Sequence, residues 1–303
     1  MIYLKQFTFP TLHEEIGFLH PPDSLLSDKT VLTHSGSFYP FNVLPNAGLT
    51  GTVKFDAITI FYGGNGCGKT TALNIIAEKM HLKRDSLFNS GRFFSDYLDM
   101  CRYDEKPFQR YGQFLNQNSR IITSDDVFSF SMKKRDFNKY LFQKTLDVTA
   151  EYKALVDSDS RLRSLDDYER WHARNEALKS KSAFLKKRLE REQKEHSNGE
   201  TAMLYFLERM EHEGLYLLDE PENSLSLENQ MNLAEFIEAS ADCYDCQFII
   251  ATHSPIFLAL PQARIYDLDN EAKPADSWTK LKSVRMLYDF FEAHKAEFDQ
   301  GEQ

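Results

Sequence analysis

The chain has 303 residues, 42% hydrophobic, 13% aromatic and 27% charged, which supports a sizeable folded core and excludes a disordered chain. A net charge of −10 excludes general attraction to nucleic acid or anionic lipid, so such a contact would need a local basic patch. No uncharged apolar run reaches the roughly 18 residues of a membrane helix, so no membrane insertion is expected. The opening Met1-Ile2-Tyr3-Leu4-Lys5-Gln6 has no signal-peptide profile, and a cytoplasmic chain is expected.

In chain order, the first strand is expected over 2–9, followed by a Pro- and Gly-punctuated stretch to Gly51. A second strand, Val53 to Tyr62, runs into Gly63-Gly64-Asn65-Gly66-Cys67-Gly68-Lys69-Thr70, which matches the phosphate-binding pattern GxxxxGK[ST]. Its glycines allow successive N–H groups to turn toward phosphate oxygens, aided by the N-terminus of the helix that follows. That helix carries Leu73, Ile76, Ala77 and Met80 on one face, with Thr71 in its first turn. Lys69 is placed to reach the β- and γ-phosphates of ATP, and the Thr70 hydroxyl to ligate Mg²⁺. The dinucleotide pattern GxGxxG is absent, because Lys69 stands where its last glycine would fall.

A short strand is expected at Arg120–Thr123, then a charged helical block from 128 to about 196. Trp171, Leu178 and Leu185 are seven apart, but Arg174, Lys181 and Arg188 fill the companion line, which favours a packed helix over a coiled coil. Residues 179–194 carry seven Lys or Arg against Glu190 and Glu192. This run is either a solvated helix face or a sequence-tolerant DNA contact.

From Gly214 the β texture returns. Leu215-Tyr216-Leu217-Leu218-Asp219-Glu220 is an apolar strand ending in two carboxylates; next to a phosphate loop, Asp219 suits the Mg²⁺ shell and Glu220 the general base for water. A strand over Gln247–Thr252 ends at His253, which should face the same crevice and touch the γ-phosphate. A further strand covers Arg264–Leu268 and a last helix roughly 279–297. Of four cysteines, Cys243 and Cys246 form a lone CxxC without the second pair of a zinc ribbon, so structural roles are expected.

A phosphate loop, then a strand ending Asp-Glu-Pro, then a strand ending Thr-His-Ser-Pro, resembles the ABC ATPases. The resemblance is to the small stand-alone ATPases related to SMC-type, DNA-repair and OLD-type proteins, and covers 1–80 and 190–303. It implies an α/β fold with a mainly parallel sheet, an N-terminal antiparallel β portion and a helical subdomain inserted over 81–200, all within one domain over 1–303. It also places the signature motif at Ser197, Asn198, Gly199 and Glu200, departing from LSGGQ at Asn198 and Glu200, and the D-loop at Ser224-Leu225-Ser226. No glutamine follows the strand at 120–123, so Asp125 is the candidate for that contact to Mg²⁺, with Gln117 a weaker one. Phe38, Tyr39 and Phe41 are available to stack on adenine.

In the family, the signature of one subunit completes the ATP site of another. The resemblance therefore implies a head-to-tail homodimer with two buried Mg-ATP, a switch in DNA repair, genome maintenance or phage defence that acts on DNA or a protein effector. The alternatives are the nucleotide-binding subunit of a membrane transporter and a weakly hydrolysing scaffold for a partner effector.

Overall fold

In a computed structural model of the chain, the described residues are 1–19, 38–104, 118–133, 198–210 and 213–299, with isolated helical positions at 143, 147, 150 and 154. The chain divides into two units, Met1–Val127 with Asn198–Gln303, and Phe128–Ser197.

The first unit contains two sheets. Strand β1 (Gln6–Phe9) leads into helix α1 (Leu12–Leu19), a short helix α2 (Val43–Asn46), β2 (Gly51–Lys54) and β3 (Ile58–Tyr62). Helix α3 (Lys69–Lys79) follows the glycine-rich loop; α4 (Phe94–Met100), β4 (Arg102–Tyr103) and β5 (Arg120–Thr123) come next. After the second unit the order is α5 (Asn198–Arg209), β6 (Gly214–Asp219), α6 (Leu227–Cys243), β7 (Cys246–Thr252) and α7 (Pro255–Leu258). Strands β8 (Arg264–Asp267) and β9 (Lys273–Pro274) and helices α8 (Lys282–Ala293) and α9 (Lys295–Asp299) complete it.

The larger sheet has the order β5-β6-β7-β3-β8-β9, parallel except for the antiparallel edge strand β9. Strands β3, β6 and β7 are buried at every position, as expected of parallel strands covered on both faces. The smaller sheet is antiparallel, β2-β1-β4. Helix α3 covers β6, β7 and β5, burying Leu73, Ile76, Ala77 and Met80 as their spacing required.

The single strand expected over Val53–Tyr62 is two strands in different sheets. Phe55–Ala57 turns the chain between them: the Asp56 N–H donates to Thr59 Oγ1 at 3.0 Å, and the Asp56 carboxylate pairs with Arg264 at 2.8 Å. The first strand begins at Gln6 rather than residue 2. The last helix is a 3₁₀ turn at Trp278–Lys280 followed by α8 and α9. Helix α1 lies in a stretch read only as punctuated loop. It buries Glu15, whose carboxylate accepts from the Asn42 N–H at 2.6 Å and the Tyr97 hydroxyl at 3.0 Å.

The inserted block expected over 81–200 has α4, β4 and β5 in the first unit. A helix begins at 124, and the Trp171, Leu178 and Leu185 line and the basic run 179–194 lie outside the described residues.

Candidate functional site

The parallel order brings the ends of β3, β6 and β7 side by side, with Tyr62 opposite Thr252 and Asp219 opposite Ala251. Glu220 and His253 thus follow adjacent strands on one edge of the sheet, although, contrary to expectation, they do not line the same cavity. After β3 the loop turns through Gly66 and Gly68 at φ 81 and 96, a region in which a side chain is strained. A Cβ on Gly68 would also press on Val43 and Leu44 at 3.3 Å, so only glycine lets α3 start so close to α2.

Lys69 is 4% exposed, and its Nζ donates to Gly63 O at 2.8 Å and Gly64 O at 3.0 Å, with Glu220 Oε1 at 3.4 Å. Beside it lies an open pocket of about 320 Å³, lined by Asn65, Gly66, Lys69, Thr70, Thr71 and Glu220 among others. Gly63, Cys67 and Gly68 belong to the same loop. The Cys67 thiol sits close against Gly63, and burial raises its pKa.

Thr70 Oγ1 donates to Asp219 Oδ1 at 3.0 Å. Burial pushes the Asp219 carboxyl up to about 7; the Thr70 hydrogen bond opposes this and Glu220 adds to it. A hydroxyl and a buried carboxylate are the hard oxygen donors Mg²⁺ takes, and a cation there would stabilise the ionised carboxylate. The two therefore fit Mg²⁺, whose remaining ligands would be water and nucleotide phosphates.

Glu220, just past β6, is held at φ 48 and ψ 56, left-handed for a non-glycine residue, with its N–H donating to Ala251 O at 2.8 Å. Such backbone strain concentrates at functional positions. Asn223 donates to Glu220 Oε2 at 2.9 Å. His253, just past β7, lines a neighbouring groove rather than the phosphate pocket, with Ser283, Met286, Leu287 and Phe290 across from it. Its closest charged neighbour is Glu222, in the 3₁₀ turn Pro221–Ser224.

Asp125 is exposed in the first turn of the helix beginning at 124, whereas Asp126 is buried and turned back onto Thr123, accepting from its N–H at 2.8 Å and its hydroxyl at 2.9 Å. Asn198, Gly199 and Glu200 occupy the first turn of α5. Ser197 and Gln117 lie outside the described residues. Of the aromatics offered for adenine, Phe38 stacks on Phe93, Tyr39 on Phe94, and Phe41 on Phe18. In the D-loop segment, Leu225 is buried and Ser226 caps α6 by accepting the Asn229 N–H at 3.4 Å.

Three polar residues at the site escaped the sequence reading. Asp269, past β8, accepts the Gly64 N–H with both carboxylate oxygens at 3.0 Å. Glu222 stands in the 3₁₀ turn just after the more obvious acids Asp219 and Glu220. Arg84 donates to Asn74 of α3 at 2.6 Å, lies 4.1 Å over the Phe88 ring and feels both Asp126 and Asp219. Glu222 carried one legible signal, a third acid within four residues of a strand tip; Asp269 and Arg84 carried none. Cys243 and Cys246 are free thiols, and the described residues hold no cluster of three His, Cys, Asp or Glu able to bind a metal.

A family model described as ABC transporter matches residues 47–223, more than half the chain. Among solved structures, the chain is similar to the Smc head domain from Pyrococcus furiosus, described with an extended coiled coil and bound to the C-terminal domain of ScpA. That likeness has 14% identity and a TM-score of 0.38, covering 79% of this chain and 94% of that one. It is also similar to an inward-facing metal-chelate type ABC transporter structure, at 16% identity and a TM-score of 0.35, covering 78% of this chain and 79% of that one. No curated protein matches the chain.

Proposed function

This chain belongs to the ABC transporter family, and on that premise we propose that it is a Mg²⁺-dependent ATPase whose sites close between two copies of itself. The observation that carries the reading is the convergence of Lys69, Thr70, Asp219 and Glu220 within hydrogen-bond or ion-pair reach at the ends of adjacent strands. Lys69, with the loop N–H groups of Asn65 to Thr71, binds the phosphates. Thr70 and Asp219 would hold Mg²⁺, with Asp125 as a further acid near its shell, and the ion would neutralise charge on the phosphates. Glu220 takes the proton of the attacking water, and His253, in the groove beside the phosphate pocket, is proposed to reach the γ-phosphate of the bound nucleotide. The signature residues Ser197, Asn198, Gly199 and Glu200 of a second copy complete the site.

Two substitutions test this. Glu220→Gln should keep ATP binding and slow turnover by about 100- to 10,000-fold, as loss of a general base does. Lys69→Ala should weaken ATP binding itself. A Glu220→Gln protein turning over at the wild-type rate removes Glu220 as the base.

The output is proposed to be a switch in genome maintenance, DNA repair or phage defence, acting on DNA or a protein effector. The reading of a transporter subunit draws support from the family model itself, which is that of ABC transporters. No helix among the described residues is long and apolar enough to cross a membrane. Capture by ATP-locked Glu220→Gln separates the two: a membrane protein in the eluate supports the transporter, and DNA or a soluble effector the switch.

A further inference from the structure

Glu222 is a buried carboxylate that neither phosphate nor Mg²⁺ chemistry calls for. Its side chain is 6% exposed, and its Oε2 has no hydrogen-bond partner among the described residues. Retaining such a group costs free energy, and a threonine or serine would serve as well if the turn only needed a cap. What sets it apart is where Oε1 points. That one oxygen accepts the Thr252 hydroxyl at 2.7 Å and the His253 N–H at 2.9 Å, and lies 3.2 Å from His253 Nδ1.

We propose that Glu222 is a positioning residue for His253, holding its backbone and ring through a single carboxylate oxygen and keeping the Nδ1 proton in place so that Nε2 is the atom offered to the nucleotide. The proposal rests on the reading of His253 as a γ-phosphate contact. A carboxylate oxygen at this distance favours the ring tautomer that turns an N–H toward it. The bond one ring nitrogen makes decides the tautomer of the other, and it also stops rotation of the ring. The His253 side chain is 48% exposed, so it has little packing to hold it without Glu222. The turn that carries Glu222 begins one residue after Glu220, so the general base and the phosphate contact are aligned by the same short segment.

The test joins kinetics to spectroscopy. At saturating ATP, Glu222→Ala should lower kcat about as much as His253→Ala, with KM for ATP changed by less than about threefold. The double variant should be no slower than either single one, because the two residues then act as one unit. Glu222→Gln retains an acceptor oxygen and should recover part of the rate. Independently of turnover, long-range ¹H–¹⁵N spectra of the wild-type protein, with His253 assigned from His253→Asn, should show Nδ1 protonated. That signature should persist in Glu222→Gln and disappear in Glu222→Ala. Costs that multiply in the double variant, or a wild-type His253 protonated only on Nε2, overturn the proposal. A wild-type protein that hydrolyses no ATP refutes the ATPase reading instead, and the spectra still decide the role of Glu222.

Discussion

Lys69 illustrates how this site is built from backbone as much as from side chains. Its ammonium rests on the carbonyls of Gly63 and Gly64, so the shape of that dipeptide decides where the charge lies. The Gly64 N–H is in turn taken by both oxygens of Asp269. Asp269 is reached because Leu268 N–H donates to Tyr62 O at 2.8 Å, locking the segment after β8 beside the segment after β3. The loop is thus pinned from outside before any nucleotide arrives. Removing the pin should leave the fold intact and let the loop sample shapes that bind phosphate poorly. A hydrogen bond to a carboxylate is worth about 1.5–3 kcal/mol, and because Asp269 is exposed a smaller share is expected here. Asp269→Ala should therefore weaken ATP binding by about 3- to 10-fold, and Asp269→Asn by less. Titration with a fluorescent ATP analogue, beside an unchanged thermal melt, checks it; unaltered affinity means the loop holds its shape alone.

At the scale of elements, buried side chains tie the two sheets together, Tyr266 to Lys54 at one place and Gln247 to the chain ahead of β1 at another. Gln247 at the start of β7 is fully buried and accepts the N–H groups of Tyr3 and Leu4, each at 2.8 Å. Its amide nitrogen donates to Leu4 O at 2.8 Å and Asp56 O at 3.1 Å. It therefore satisfies the chain on its way into the small sheet and the turn that leaves it for the large one. Gln247→Leu keeps the volume but strands these backbone groups at about 1–3 kcal/mol for each that stays dry. A loss of about 3 kcal/mol or more in denaturant unfolding is expected; a loss below about 1 kcal/mol would mean that water takes over the bonds. This stitch also shows what the sequence could and could not convey. The phosphate loop, the Asp219-Glu220 strand tip and the strand before His253 were legible because each is a local pattern whose neighbours in sequence are its neighbours in space. The β2–β3 break hid inside an apolar run from Val53 to Tyr62, where Asp56 was the one sign of a turn. Gln247 with Tyr3, and Glu15 with Tyr97, are pairs far apart in sequence whose meaning exists only once the sheets are assembled. The left-handed backbone of Glu220 was unreadable for a different reason, since glutamate carries no preference for that region.

For the whole molecule, the open question is what a closed pair of these chains would do. If the signature of one copy seals the phosphate pocket of the other, Mg-ATP should drive Glu220→Gln into dimers, more so as ATP rises, because only the dimer binds both faces of the nucleotide. Ser197→Arg should abolish that pairing by setting bulk and charge against the γ-phosphate. Light scattering with and without ATP reads both, and a trapped variant that stays monomeric at tens of micromolar leaves the two-copy site without support. A pair of chains would also carry the run 179–194 twice, each copy with seven Lys or Arg against Glu190 and Glu192, a local charge of +5 on a chain of net −10. A doubled charge of that size attracts a polyanion where the rest of the surface repels one. DNA binding by the ATP-trapped dimer should then exceed that of the monomer, ignore sequence, and fall steeply with salt as released counterions cease to favour the complex. Replacing Lys186, Lys187 and Arg188 with Glu should remove it. Equal and poor binding of duplex and single-stranded DNA by dimer and monomer at low salt would instead make the run a solvated helix face, and the partner a protein.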